Sequence, residues 1–336
     1  MWKMGGMGMK TGRQLARELV LENKDVPSLT LAKMLYKLYP FTFNSVECAR
    51  ESVRVARGAS GKKRIHLAVA SRSKVEQERC KGLSAIKADE TSFKVVMLSG
   101  ADKWLILPDI HAPYHDLQAI EVAVAQGKKE RCNGIIYNGD LSDCYKLSNF
   151  TKDPLQRNFT SEIEIVKQLI YEIGRIIKPS ATIWKMGNHE NRLNTILCQK
   201  APELFGLPSL SYESIYELEK LNVRAVGRGD LLRYNTLTIG HGDEIGSVSS
   251  AYPARGVFMR TGACTLVSHW HRSSTYTETD INGEIKTCWS TGCLCNKHPE
   301  YAPVNKWNSG FATLETNGKY WEIKNKSIIK SRVFEG

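Results

Sequence analysis

Five short polar fragments, each placed directly after an apolar run, constrain this chain more than any other feature. Asp109-Ile110-His111 follows WLILP, and Gly139-Asp140-Leu141-Ser142-Asp143 follows GIIYN. Gly187-Asn188-His189-Glu190 follows TIWKM, Gly240-His241-Gly242 follows LTI, and His269-Trp270-His271 follows TLVS. Short apolar runs alternating with helical stretches near 116–130 and 160–177 predict buried strands in an α/β body. Loops past the carboxyl ends of such strands converge on one edge of the sheet, so the five fragments are expected to meet there. Five of the eight histidines fall in these fragments, which a scatter of core histidines would not produce. The stretch from 275 to 326 reads as antiparallel strands, with turns at Asn282-Gly283 and Asn317-Gly318.

Taken in order, the fragments resemble the calcineurin-like metallophosphoesterase superfamily, whose pattern is D-x-H, GD-x-x-D, GNH-D/E, GH and H-x-H. Each fragment alone is weak; all five in sequence, each after an apolar run, are specific. The resemblance covers roughly residues 103–325. It implies an α/β sandwich of two mixed β-sheets flanked by helices, with two divalent ions at its site. Manganese is the favoured ion, with iron, zinc, nickel or magnesium as alternatives that the mixed Asp/Asn/His set also suits. The resemblance also implies the ligands. Asp109, His111, Asp140 and His271 would hold one ion, and Asp140 as a bridge, Asn188, His241 and His269 the other.

The residue types fit that chemistry. Two dications a few ångströms apart can clamp the attacking and leaving oxygens of an in-line displacement at phosphorus, and they lower the pKa of a shared water toward neutrality. A bridging carboxylate offsets their repulsion. H-x-H on an extended segment sends its side chains to opposite faces, so His269 and His271 require a bend between them. In the family the histidine of GNH stabilises the transition state or protonates the leaving oxygen, a role that falls here on His189, with Asp143 accepting its ring N–H. Arg192 and His115 are candidate substrate contacts, with Tyr145 and Lys146 nearby. Trp270 reads as packing. Cys293-x-Cys295 with His298 invites a zinc reading, but one C-x-C without a second pair is a weak signal, and reduced, partly buried thiols are expected.

One departure narrows the subclass. In the Ser/Thr protein phosphatases the second fragment continues GD-x-x-D-R-G, whereas here Asp143 is followed by Cys144-Tyr145. The stretches GDLSDCYKLSNFTKDPLQR and GCLCNKHPEY…NKWNSGF are instead similar to calcineurin-like phosphoesterases of bacteriophages, several of which carry a helix-turn-helix-like N-terminal segment.

Charge is unevenly placed along the chain. Residues 1–90 hold 18 Lys and Arg against 9 Asp and Glu, while the remaining residues hold 29 against 26. Residues 12–57 read as three helices. The first is carried by Leu15, Leu19 and Val20 or Leu21, and the second runs from about Thr30 to Tyr39, with Leu31, Met34, Leu35 and Leu38 on one face. The third runs from Ser45 to Arg57, with Asn44 and Glu47 at capping-box spacing. It presents Arg50, Arg54 and Arg57 on one stripe, which with Lys62, Lys63 and Arg64 makes a basic surface suited to nucleic acid, DNA favoured over RNA. The division expected is 1–60 as a small all-helical, helix-turn-helix-like domain, 61–101 as linker or accessory segment, and 102–336 as the catalytic domain.

Three functions are in play. The first is a nuclease or phosphodiesterase acting on nucleic acid. The second is a phosphomonoesterase or cyclic-nucleotide phosphodiesterase, with the helical domain covering the site or joining copies into a homo-oligomer. The third is a DNA-binding protein with a vestigial centre, disfavoured because every ligand position is filled. No apolar run approaches the roughly 18–20 residues of a membrane span, so no membrane partner is expected. With no h-region at the start and nine irregularly spaced cysteines, a cytoplasmic setting is expected, inside a bacterial host if the chain is phage-encoded.

Overall fold

The computed structural model describes residues 10–58, 93–149, 158–246, 248, 251–299 and 303–335. It divides into two compact units, Met1–Thr91 and Ser92–Gly336. Lys62, Lys63 and Arg64 lie outside the described residues, as does most of the expected linker.

The first unit contains helices α1 (Gly12–Glu22), α2 (Ser28–Leu38) and α3 (Val46–Ala56). Leu15, Ala16, Leu31, Ala32, Leu35, Phe43, Ala49 and Val53 form its core. Two details differ from the sequence reading. The buried face of α2 is Leu31, Ala32 and Leu35, leaving Met34 and Leu38 exposed, because both neighbouring helices pack on the side that Ala32 opens to close approach. The N-cap of α3 is Ser45 rather than Asn44; its hydroxyl accepts from the Cys48 amide at 3.2 Å. α2 ends just before Pro40, and Gly58, at a φ of +75°, closes α3.

The second unit runs β1 (Val95–Met97), β2 (Lys103–Leu107), α4 (Leu117–Lys129), β3 (Gly134–Asn138), α5 (Phe159–Ile177), β4 (Ala181–Lys185) and α6 (Asn191–Lys200). It continues with α7 (Tyr212–Ile215), β5 (Arg224–Val226), β6 (Leu231–Tyr234), β7 (Leu237–Ile239), α8 (Pro253–Thr261) and β8 (Thr265–Val267). β9 (Ser274–Thr279), β10 (Ile285–Ser290), β11 (Gly310–Asn317), β12 (Tyr320–Ile329) and β13 (Arg332–Glu335) complete it. A seven-stranded sheet has the order β13-β12-β11-β2-β3-β4-β5, and a six-stranded sheet the order β1-β6-β7-β8-β10-β9. Both are mixed. β2 to β5 are mutually parallel, while β11, β12 and β13 pair antiparallel.

Alternation along the central strands builds two cores from one sheet. Leu105, Leu107, Ile135 and Tyr137 pack with Val166, Ile170 and Ile173 of α5 and with Ala123 and Val124 of α4. Trp104, Ile106, Ile136 and Ile183 point the other way, against Leu232, Leu237, Ile239 and Leu266 of the second sheet. The result is a sandwich of two mixed sheets flanked by helices. β1 pairs parallel with β6, so residues from 93 onward, within the segment expected as linker or accessory, extend the sandwich. Among the described residues no helix is long and apolar enough to cross a membrane.

Candidate metal centre

All five fragments lie just past the carboxyl ends of their strands, and the loops carry them inward. Asp109, His111, Asp140, His269 and His271 all have positive φ, between 45° and 69°. That region is uncommon for residues with a Cβ, and it gathers at sites where the surrounding structure holds it. The bend required between His269 and His271 is present in this form, with the Trp270 amide donating to the Ser268 carbonyl at 2.8 Å. Two glycines allow close approach. A Cβ on Gly139 would collide with the His241 ring, and one on Gly187 with the Asp140 carboxylate.

The side chains form two clusters that share Asp140. In the first, His271 Nε2 lies 3.3 Å from Asp109 Oδ1 and 3.2 Å from His111 Nε2, which is 3.8 Å from Asp140 Oδ2. In the second, His241 Nε2 lies 3.1 Å from Asp140 Oδ2 and 3.3 Å from Asn188 Oδ1, with the His269 ring centred 5.1 Å from that of His241. Asp140, His241 and His269 offer ligand atoms all within 4.8 Å of one another. Adjacent donors on an ion with bonds near 2.1 Å stand about 3 Å apart. Imidazole nitrogens and carboxylate oxygens converging at this spacing suit two divalent ions, with Asp140 between them.

The protonation directions fit the same reading. Burial lowers the His241 pKa, but the Asp140 carboxylate outweighs it and raises the ring to about 10. Burial likewise opposes the rise of His271 to about 9, which Asp109 causes. Burial and the charge of His189 lower His111. Burial would raise Asp140 and Asp109, but the surrounding imidazoles hold both below the usual carboxylate range. Protons thus balance the buried carboxylates where cations would otherwise do so.

His189 stands beside these clusters with both ring nitrogens engaged. Nδ1 lies 2.9 Å from the Asp143 carbonyl and 3.1 Å from its carboxylate, and Nε2 lies 3.1 Å from Arg192 Nη2. Burial lowers its pKa, but Asp140 and Asp143 together raise it. Asp143 does more than expected, because its carboxylate also sits 2.8 Å from His111 Nδ1. Burial would raise this carboxyl; hydrogen bonds from the two histidines hold it well below its ordinary range. Arg192 is turned onto Asp143 and His189, donating to the Asp143 carbonyl at 2.7 Å. His115 is half-buried in the loop after His111, its backbone bridged to Cys295. His298 does not join Cys293 and Cys295; its Nδ1 faces the Pro303 carbonyl at 3.0 Å.

Sequence reasoning missed the groups beneath the loops. Glu190 is fully buried and accepts from the amides of Gly187, Asp140 and Ser142 at 2.7, 3.0 and 3.1 Å. It ties the second fragment to the third. Glu244 accepts from the amides of His241 and Gly242 and is backed by fully buried Lys185 at 3.6 Å. Glu162 supports the loop after Asp140 by accepting from the Cys144 amide, and burial lifts its pKa to about 7. The only prior signal was the acidic fourth position of GNH-D/E.

The nucleic-acid candidates separate. Arg54 is exposed and Arg50 half-buried, in loose pairs with Glu51 and Glu47. Arg57 is turned inward, donating to Ser28 Oγ at 2.9 Å and to the carbonyls of Lys24 and Val26. It fastens α3 to the α1–α2 connection, so the stripe of three arginines is reduced to two.

No protein-family model matches the chain, and no curated protein does. Solved structures do. Vacuolar Protein Sorting 29 from Cryptosporidium parvum is 13% identical, over 71% of this chain and 97% of that one, with a TM-score of 0.38. A dimetal phosphatase from Danio rerio is 11% identical over 70% and 99%, with a TM-score of 0.34. Yfce, a phosphoesterase from E. coli, is 12% identical over 63% and 88%, also at 0.34. The fold is an α/β sandwich of two mixed sheets flanked by helices.

Proposed function

We propose that the chain is a two-metal phosphoester hydrolase acting on phosphodiesters of nucleic acid. The observation that carries the hydrolase reading is the pair of clusters sharing buried Asp140. Asp109, His111, Asp140 and His271 would hold one ion, and Asp140, Asn188, His241 and His269 the other. Two bound divalent ions supply Lewis acidity toward phosphoryl oxygens and an activated water.

The chain's own residues do the rest. Glu190 and Glu244 fix the loops, so the ligand atoms need no rearrangement to converge. Asp143 holds His189 through Nδ1, which fixes Nε2 as the nitrogen that exchanges a proton. A phosphoryl oxygen arriving at the site takes the Arg192 donor, and His189 Nε2 is then available to protonate the leaving oxygen. The raised pKa of His189 suits an acid at neutral pH. His115, in the loop after His111, would be a further substrate contact.

The nucleic-acid part rests on the basic first 90 residues and on Arg54 and half-buried Arg50. The test is hydrolysis by the full chain in Mn²⁺ of single- and double-stranded DNA, RNA, bis-p-nitrophenyl phosphate, 2′,3′-cyclic AMP and p-nitrophenyl phosphate. Cleavage of a polymer, with binding that weakens steeply as salt rises, is expected. Intact polymers alongside hydrolysed small esters would replace the nucleic-acid reading with the small-molecule one.

A further inference from the structure

The histidines of the centre are not all held in the same way. His111, His189 and His241 each have Nδ1 on an oxygen, from Asp143 twice and from the Asn138 carbonyl, at 2.8 to 2.9 Å. His271 differs. Its Nε2 faces Asp109 and His111, but its Nδ1 lies 3.9 Å from the sulfur of Cys295. Two residues before it, the Cys293 thiol donates to the Asn308 carbonyl at 3.7 Å. Both are buried free thiols. Backbone bridges from Cys293 to Ser309 and from Cys295 to His115 hold this segment, and Leu294 between them packs in the core under the large sheet. Cys293 also lies within electrostatic reach of His271.

We propose that Cys293 and Cys295 are a thiol pair that positions His271, so that the dithiol form holds the ion on that side and the disulfide form does not. This rests on the metal-centre reading above. A ligating imidazole is oriented by whatever its second nitrogen meets, and losing that partner costs about 10–100-fold in metal affinity. Here the partner is sulfur, a weak acceptor and, unlike oxygen, oxidisable. With hydrogen peroxide as oxidant, the two thiols give up two protons and two electrons, an S–S bond forms, and the peroxide leaves as two waters. Residues i and i+2 of a fully extended segment stand about 6.7 Å apart, near the upper end of the disulfide range, and the bend at Leu294 brings Cys293 and Cys295 nearer than that. Closing the bond pinches the segment and draws Cys295 Sγ away from His271 Nδ1. A disulfide strained in this way is readily reduced, which makes the change reversible.

The experiment is Mn²⁺ binding to the full chain by equilibrium dialysis, first under a phosphine reductant and then after peroxide treatment and desalting. The reduced protein is expected to bind two ions. After oxidation one of them should bind about 10–100-fold more weakly, with recovery on renewed reduction. Cys293→Ser should keep both ions through the peroxide step. Cys295→Ala should weaken one ion without any oxidant, and Cys295→Ser, whose hydroxyl can accept from Nδ1, should restore it. Unchanged binding in peroxide-treated wild type, equal loss in Cys293→Ser, or full affinity in Cys295→Ala would each overturn the proposal. Failure of the reduced wild type to bind two ions would instead strike the metal-centre reading itself.

Discussion

In the helical unit the charged side chains stand outside an apolar core and pair locally, as Arg50 does with Glu47 and Arg54 with Glu51. In the sandwich unit Asp109, Asp140, Glu190 and Lys185 are at or near zero exposure. A polar group at the surface can lose its partner to water at little cost. A buried one cannot, because removing its partner leaves the full desolvation penalty behind. The first unit therefore gives a surface whose charges are easily changed. The second gives a rigid set of donors, each fixed by another polar group below it.

The largest effect should follow from Asp140→Asn, which removes the one carboxylate common to both clusters. Turnover of any ester the protein accepts should be lost, because the two ions that would polarise phosphoryl oxygens and activate water lose their common ligand. Full activity in that variant would break the distinction between buried and exposed charge. Glu190→Gln sharpens it from underneath the loops. The substitution keeps the shape but turns an NH₂ group toward backbone amides, at about 1–3 kcal/mol per unsatisfied donor. Thermal unfolding should shift downward and turnover should drop, although Glu190 approaches no substrate. Equal melting and activity in the variant would deny it a positioning role.

A smaller contrast lies inside the helical unit. Arg57→Ala removes donors to Ser28 and to the Lys24 and Val26 carbonyls and should destabilise that unit by about 1–3 kcal/mol. Arg50→Ala and Arg54→Ala should change stability by less than about 0.5 kcal/mol. Their effect should instead be a shallower salt dependence of nucleic-acid binding, by about one unit of log–log slope for each phosphate no longer neutralised. Denaturant melts and binding across a salt series separate the two behaviours. Similar melting for all three variants would mean that Arg57 is as dispensable as its neighbours.

Much of this was legible in the sequence, for physical reasons. The strands from Trp104 to Val267 are short apolar runs ending in polar fragments, and that pattern directly encodes burial and an edge. The bend at His269–His271 followed from strand alternation once both histidines were expected as ligands of one centre. Interactions between distant segments left no such trace. Glu190 beneath two loops, Lys185 beneath Glu244, β1 against β6 and Cys295 against His271 all depend on how separate elements pack. Arg57 shows the limit from the other side. Its helical spacing places it with Arg50 and Arg54, yet the carbonyls left open at the α1–α2 connection draw it inward. Similarly, apolar spacing in α2 admits two faces, and Ala32 rather than Met34 decides between them.

The shared Asp140 makes its most direct claim on ion stoichiometry, read by calorimetric Mn²⁺ titration at neutral pH in two buffers of different ionisation enthalpy. His241, at about 10, and His271, at about 9, lie above their ordinary value, so in the ion-free protein both are protonated at neutral pH. Their contribution to ion-free stability is full below the ordinary histidine range and disappears as pH rises through 9 to 10. Ions must displace those protons, so affinity should climb over the same window. Two ions per chain, release of about two protons at neutral pH and loss of both ions in Asp140→Asn would bear this out. One ion or none, no proton release, or unaltered binding in Asp140→Asn would contradict it.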